Sequence, residues 1–145
     1  MCIAFKIVEH ASTEYEDTVR LRDQVLRKPL NLSFSQEELA QENSSFHLAG
    51  YWQQEIVACL ILKPSGRNTV KMRQVAVCDK MQGKGIGKLL VLFAEDFARQ
   101  SGYREIILHA RETAIPFYLK LGYETSGTSF SEVGLPHKMM LKQLD

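Results

Sequence analysis

Residues Gln82 to Lys88 read Gln-Gly-Lys-Gly-Ile-Gly-Lys, three glycines within five residues with Lys84 and Lys88 among them. A backbone this free of side chains can approach a ligand closely. The segment follows a run of strand formers ending at Val77 and precedes a helical pattern, so its amides fall at a helix N-terminus. Unpaired N–H groups and the helix dipole favour an anion there, and phosphate is the natural guest. Two common phosphate loops do not fit. A Walker loop counted back from Gly87-Lys88 would need glycine at Gln82 and a magnesium-binding hydroxyl at Leu89. The dinucleotide fingerprint G-x-G-x-x-G fails on the spacing of Gly83, Gly85 and Gly87, and no acid closes the strand at Ile107-Leu108-His109.

The other residue types able to do chemistry are scattered. His10, His47, His109 and His137 have no second ligand at metal spacing, so no metal site is expected. His10 reads as surface, while His109 and His137 carry a substrate-side role as the alternative to a structural one. Cys2, Cys59 and Cys78 form no C-x-x-C pair, which points away from a disulfide framework or zinc site and towards a reducing compartment. Cys78, beside the glycine loop, raises a covalent acyl intermediate as a minor alternative.

These residues need a scaffold, and the apolar spacing supplies one. Residues 3 to 8 are strand formers, and residues 11 to 27 carry helical spacing with Ser12 or Thr13 as cap. Pro29 ends that pattern. A short helix is expected over 36–41. The runs 46–52 and 56–62 flank Gln53-Gln54-Glu55 as an antiparallel hairpin, and 64–68 is a turn. Residues 69 to 77 alternate towards Val75-Ala76-Val77, as a strand does when its far end is buried on both faces. From Gly87 to Gln100 the residues Leu89, Leu90, Phe93 and Phe97 define one core face, with Gly102 as stop. A short strand over 105–109, a helix over 112–121 containing Pro116 and ended by Gly122, and two strands near 123–126 and 139–141 close the chain. The order implies an α+β (α/β layered) fold around one mostly antiparallel sheet.

The chain has 145 residues, 45% apolar and 24% charged, which suits one folded domain spanning 1–145 and excludes disorder. Lys plus Arg number 18 against 17 for Asp plus Glu, a net charge of +1, so nucleic acid is not an expected partner. The N-terminal stretch lacks a basic start and long apolar run, and no segment approaches the ~20 apolar residues of a membrane span. A cytoplasmic protein without membrane contact is expected.

Gln82, Gly85 and Gly87 match Q/R-x-x-G-x-G/A, which resembles the acyl-CoA pyrophosphate loop of the GNAT superfamily of N-acetyltransferases. Arg73-Gln74-Val75-Ala76-Val77 is similar to the family's splayed fourth strand. Residues Ala114 to Tyr123 resemble its A-x-x-F-Y-x-K-x-G-Y/F motif. The ending Gly134-Leu135-Pro136-His137-Lys138-Met139-Met140 is similar to the G-I/L-P-H-x-x-M signature of the ElaA-like branch. Together the resemblance spans about residues 46 to 142.

It implies a GNAT-type fold, with a central mixed sheet flanked by helices, and transfer of an acetyl group from acetyl-CoA to a primary amine by direct attack in a ternary complex. The alternative is a non-catalytic acyl-CoA sensor. On this resemblance the backbone of Val75, Ala76 and Val77 grips the pantetheine arm and thioester oxygen, and Gln82, Gly83, Lys84, Gly85, Ile86, Gly87 and Lys88 hold the pyrophosphate. Tyr118 protonates the departing sulfur, His137 takes a catalytic or substrate-side role, and Phe117 joins the coenzyme A set although its type suits the core equally. Seven residues before Tyr118, where the family often has Asn or Gln, stands Arg111, whose fork can reach a phosphate or an acidic substrate. Arg22 and Arg27 suggest either an anionic acceptor or plain solvent contacts. The acceptor is a small-molecule or peptide amine, no general base is evident, and family analogy adds a homodimer.

Overall fold

The computed structural model describes residues 2–145; Met1, the first residue of the stretch read for a leader, lies outside them. Strands β1 (Ala4–Val8), β2 (Phe46–Trp52), β3 (Glu55–Pro64), β4 (Thr69–Val77), β5 (Glu105–Arg111), β6 (Glu124–Glu132) and β7 (Leu135–Gln143) form one sheet in the order β1-β2-β3-β4-β5-β7-β6. Every neighbouring pair is antiparallel except β4 and β5. The helices are α1 (Thr13–Arg22), α2 (Gln36–Ala40), α3 (Ile86–Gln100) and α4 (Ile115–Lys120).

The two faces of the sheet bury different helices. On one, Leu90, Val91, Ala94 and Ala98 of α3 pack against Leu60, Leu62, Val70, Met72, Ile106 and Leu108. Leu89, expected on that face, is exposed, because the buried stripe runs one position further along the helix. On the other face, Tyr15 and Leu21 of α1 pack with Val8, Ala49, Cys59 and Ala76. Ser12 caps α1, its Oγ accepting from the Tyr15 amide at 3.1 Å.

Several boundaries differ from the sequence reading. The helical spacing to Arg27 is not one α-helix: α1 stops at Arg22 and continues as a π-helical turn over Asp23–Arg27, then a 3-10 turn over Lys28–Leu30. The Lys28 amide reaches back five residues to the Asp23 carbonyl, and the widened turn brings Val25, Leu26 and Arg27 onto the wall of a cavity. Residues 112–121 likewise divide into a 3-10 turn (Glu112–Ala114) and α4, with Pro116 in the first turn of α4. The last two strands are nine residues each rather than short. Gly127, Thr128 and Ser129 hid the length of β6, because small polar residues carry little apolar alternation.

Candidate functional site

The site originates in one extra residue in β4. Cys59 pairs with Ala76 and Ile61 with Arg73, so Gln74 and Val75 both stand opposite Leu60 as a β-bulge. The bulge reverses which face each side chain meets: Val70 and Met72 point to α3, whereas Ala76 joins the α1 side. Gln74 takes a left-handed conformation at φ +53, a strained geometry for a residue with a Cβ. Beyond the bulge β4 departs from β5, and their parallel ladder ends at Met72–Leu108. Val75 and Val77 are therefore half-exposed rather than buried on both faces, because the neighbouring strand has turned away.

A buried network holds the bulge. Arg22 is wholly buried and donates through Nη1 and Nη2 to the two carboxylate oxygens of Glu42, at 2.9 and 2.8 Å. Nη1 also donates to Gln74 Oε1 at 3.0 Å, and Tyr15 Oη donates to Glu42 at 2.6 Å. Burial opposes the Glu42 charge, but hydrogen bonds from Arg22 and Tyr15 hold its carboxyl below the usual carboxylate range. Arg22 is thus a structural ion-pair partner, neither solvent-exposed nor available to an acceptor.

The gap between β4 and β5 is a cavity of about 610 Å³, with Val75, Gln82, Arg111 and Tyr118 among its lining. At its edge the glycine loop opens into α3. Gly83 and Gly85 both have φ +80, and a Cβ on either would meet no atom within 4 Å, so the space beside them is free for a ligand. Gly85 caps α3 without a side-chain acceptor. The first amide to find a backbone partner is that of Leu89, at 3.2 Å from Gly85 O; among the described residues, the amides of Gly83 through Lys88 donate to no backbone carbonyl. This row of donors at the start of a 15-residue helix suits a phosphate. Gln82 folds back, its Nε2 donating to Val77 O at 3.0 Å, which fixes the loop to the end of β4.

Tyr118 is 7% exposed, and among the described residues its hydroxyl has no hydrogen-bond partner. Burial pushes its phenol up to about 12. Phe117 packs under Gly87, where an added Cβ would sit 3.5 Å from the ring.

The opposite wall comes from β5 and the β6–β7 hairpin. His109 Nδ1 lies 2.8 Å from Glu132 Oε1. Since a carboxylate only accepts, that nitrogen carries the proton, and in the neutral ring Nε2 keeps the lone pair. His137, 4% exposed, donates from Nδ1 to Leu135 O at 2.9 Å and stands 3.7 Å from the other oxygen of Glu132. Phe130 packs edge-on against His109, with ring centres 4.9 Å apart. Burial works against the Glu132 charge, yet the His109 hydrogen bond and the charges of His109, His137 and Lys71 hold its carboxyl below the ordinary value. Across the cavity, burial and then the neighbouring Arg73 press the Lys71 ammonium down, against the pull of Glu132.

A family model described as the acetyltransferase (GNAT) family matches residues 6–123. The chain belongs to the GNAT acetyltransferase family. The uncharacterised protein YyaT of Bacillus subtilis is 32% identical over 77 residues, 53% of this chain and 52% of that protein, so the alignment spans about half of YyaT. The crystal structure of Escherichia coli ElaA superimposes with a TM-score of 0.83 at 19% identity, over 97% of this chain and 99% of that one. A GNAT acetyltransferase from Elizabethkingia anophelis, solved with acetyl-CoA bound, gives a TM-score of 0.75 at 19% identity over 98% of both chains. At these identities the two structures speak to the fold, a mixed seven-stranded sheet flanked by helices.

Within this GNAT fold the residues singled out from the sequence gather in two places. Val75, Gln82, Arg111, Tyr118 and His137 line the cavity between β4 and β5. Gly83, Lys84, Gly85, Gly87 and Lys88 form its loop edge, both lysines exposed, while the Ile86 side chain is buried in the core and offers only its amide. Sequence reasoning missed Glu132, Lys71 and Gln74 and left His109 undecided. Glu132 stands five residues before His137 in a stretch whose own residue pattern does not mark a strand. Gln74 looked like any polar strand position, since a bulge has no residue signature unless glycine fills it.

Proposed function

We propose that the chain transfers an acetyl group from acetyl-CoA to a primary amine by direct attack in a ternary complex. The observation that carries this reading is the opening between β4 and β5, which joins unpaired loop amides on one side to a lone buried phenol and an imidazole–carboxylate pair on the other. The open space beside Gly83 and Gly85 fits a pyrophosphate on the amides of residues 83–88. Acetyl-CoA would supply an activated carbonyl carbon and a sulfur able to leave.

The chain's own groups then divide the work. Backbone N–H groups along Val75–Val77, freed from β5, face the oxygen that gains charge as the amine adds. His109 Nε2, its ring oriented by Glu132 through Nδ1–H, takes the proton of the ammonium and releases it to solvent. Tyr118 donates its hydroxyl hydrogen bond to the sulfur. At about 12 the phenol is a weaker acid than a thiol at about 8.5, so it passes its proton to sulfur only as the nitrogen that has attacked sheds one to replace it. In balance, the C–S bond breaks, a C–N bond forms, one N–H proton ends on sulfur and one leaves.

The test is thiol release from acetyl-CoA over a broad amine panel, beside calorimetric titration of coenzyme A. Binding with amine-dependent thiol release supports transfer. Binding with none across the panel leaves a sensor, and no binding removes both.

A further inference from the structure

Resting on the transferase reading, the charge of the cavity narrows the acceptor. Arg27, Lys71, Arg73 and Arg111 line it against one carboxylate, Glu132, which His109 already engages. In a chain whose net charge is +1 this is a local excess of cations. Among the described residues, Lys71, Arg73 and Arg111 have no carboxylate within 4.0 Å, and Arg27 reaches Glu38 only at 3.9 Å while its guanidinium lies 4.5 Å from the centre of the Phe34 ring.

Placement separates these cations from the glycine loop. The odd-numbered residues of β4 before the bulge and of β5 share the sheet face opposite α3, and the register sets Lys71 beside Ile107 and Met72 beside Leu108. Lys71 and Arg73 therefore stand on the same face as His109 and Arg111, and the antiparallel pairing carries His137 and Phe130 onto that face as well. The loop amides lead into the first turn of α3, which packs on the other face. A pyrophosphate held at the loop uses those amides and leaves Lys71 and Arg73 unneutralised. Two cations side by side in a half-buried crevice repel each other and have lost solvent, an arrangement an incoming anion relieves.

We infer that the acceptor is a small primary amine that carries its own anionic group, a carboxylate or a phosphate, bound by Lys71 and Arg73 with Arg27 at the cavity rim, while its ammonium is drawn to the His109–Glu132 pair. The cavity is of small-molecule size, and on the transferase reading the pantetheine end of the donor would take part of it. The two poles would orient the nitrogen, since an acceptor turned end for end sets like charges together.

The test uses the intact protein with acetyl-CoA and matched acceptor pairs: β-alanine against β-alaninamide for the carboxylate, O-phosphoethanolamine against ethanolamine for the phosphate, and putrescine as a dication. The expected result is a kcat/KM at least tenfold higher for the anionic member of one or both pairs, the better pair telling carboxylate from phosphate, with putrescine poorest. Lys71→Met and Arg73→Gln, singly and together, are expected to bring that ratio towards one. Equal use of both members, or preference for putrescine, overturns the inference while leaving the transferase reading intact. Thiol release with none of the amines counts against the transferase reading instead. In that case titration of O-phosphoethanolamine into the coenzyme-bound protein decides the anion site alone: binding lost in the double variant upholds it, and no binding overturns it.

Discussion

Tyr118 and His47 show how burial sets what a side chain can do. Desolvation is the one cause that raises the Tyr118 phenol, so the group stays protonated throughout the working pH range and is always ready to donate. Tyr118→Phe keeps the ring and removes only the donor. We expect kcat to fall about 100-fold, with little change in KM for acetyl-CoA, measured by thiol release. His47 is the reverse case. Its Nε2 donates to Glu42 O at 2.8 Å, its Nδ1 is buried without a partner, and burial presses its pKa below the usual imidazole value. The unfolded chain binds a proton near pH ~6.5 where the folded chain does not, so stability rises with pH across that window and is lost as pH falls below it. The urea midpoint is expected to drop between pH 7 and 5.5, and His47→Gln to flatten that slope.

At the scale of elements, the loop and helix that hold the donor were legible in the residues themselves, whereas the extent of the hairpin that faces the acceptor was not. Glycine spacing before an amphipathic run states a helix N-terminus directly, because Gly83 and Gly85 occupy φ +80 where other residues are strained. The β6–β7 hairpin has no such mark. Residues 124–132 are mostly exposed and polar, so nothing in their periodicity distinguishes strand from loop, and Glu132 became visible as a site residue only once β6 was paired with β7. The π-helical turn at Asp23–Arg27 was equally silent, since apolar spacing does not separate it from an α-helix. The two kinds of glycine in the loop give a paired prediction. Gly85→Ala forces a Cβ into the left-handed region and is expected to cost about 1 kcal/mol of stability and to weaken coenzyme A binding. Gly87 has ordinary helical geometry, and its added Cβ would make normal contacts with Phe117 and Val77. Gly87→Ala is expected to be neutral or stabilising by about 0.5 kcal/mol, so a loss of coenzyme A affinity in calorimetry there would report close approach of the ligand to the backbone, separately from folding.

For the whole molecule, the Arg22–Glu42 pair ties α1, the segment before β2 and the β4 bulge into one unit, and it does so at a cost. Both ions are taken from water, and their attraction is helped to repay that desolvation by the further hydrogen bonds of Tyr15 and Gln74, although Arg22 Nε stays buried without a partner. Removing one partner strands a buried charge. Glu42→Gln or Arg22→Met is therefore expected to destabilise by about 3–5 kcal/mol in urea unfolding. Because the folded-state pKa of Glu42 is held down, the wild-type stability that the pair contributes is present above about pH 4.3, the unfolded value, and drains away as pH falls towards the folded one. The double variant Arg22→Met/Glu42→Leu separates stability from function. With no charge left unpaired it should recover part of the lost stability, as apolar replacements of buried ion pairs often do, yet the Arg22 hydrogen bond to Gln74, which sits at φ +53, would be gone. If the pair exists to keep the bulge, and through it the divergence of β4 from β5, the double variant will fold and still lose at least tenfold in kcat/KM for acetyl-CoA. A double variant that regains both stability and activity would reduce the network to a packing solution with no bearing on the site.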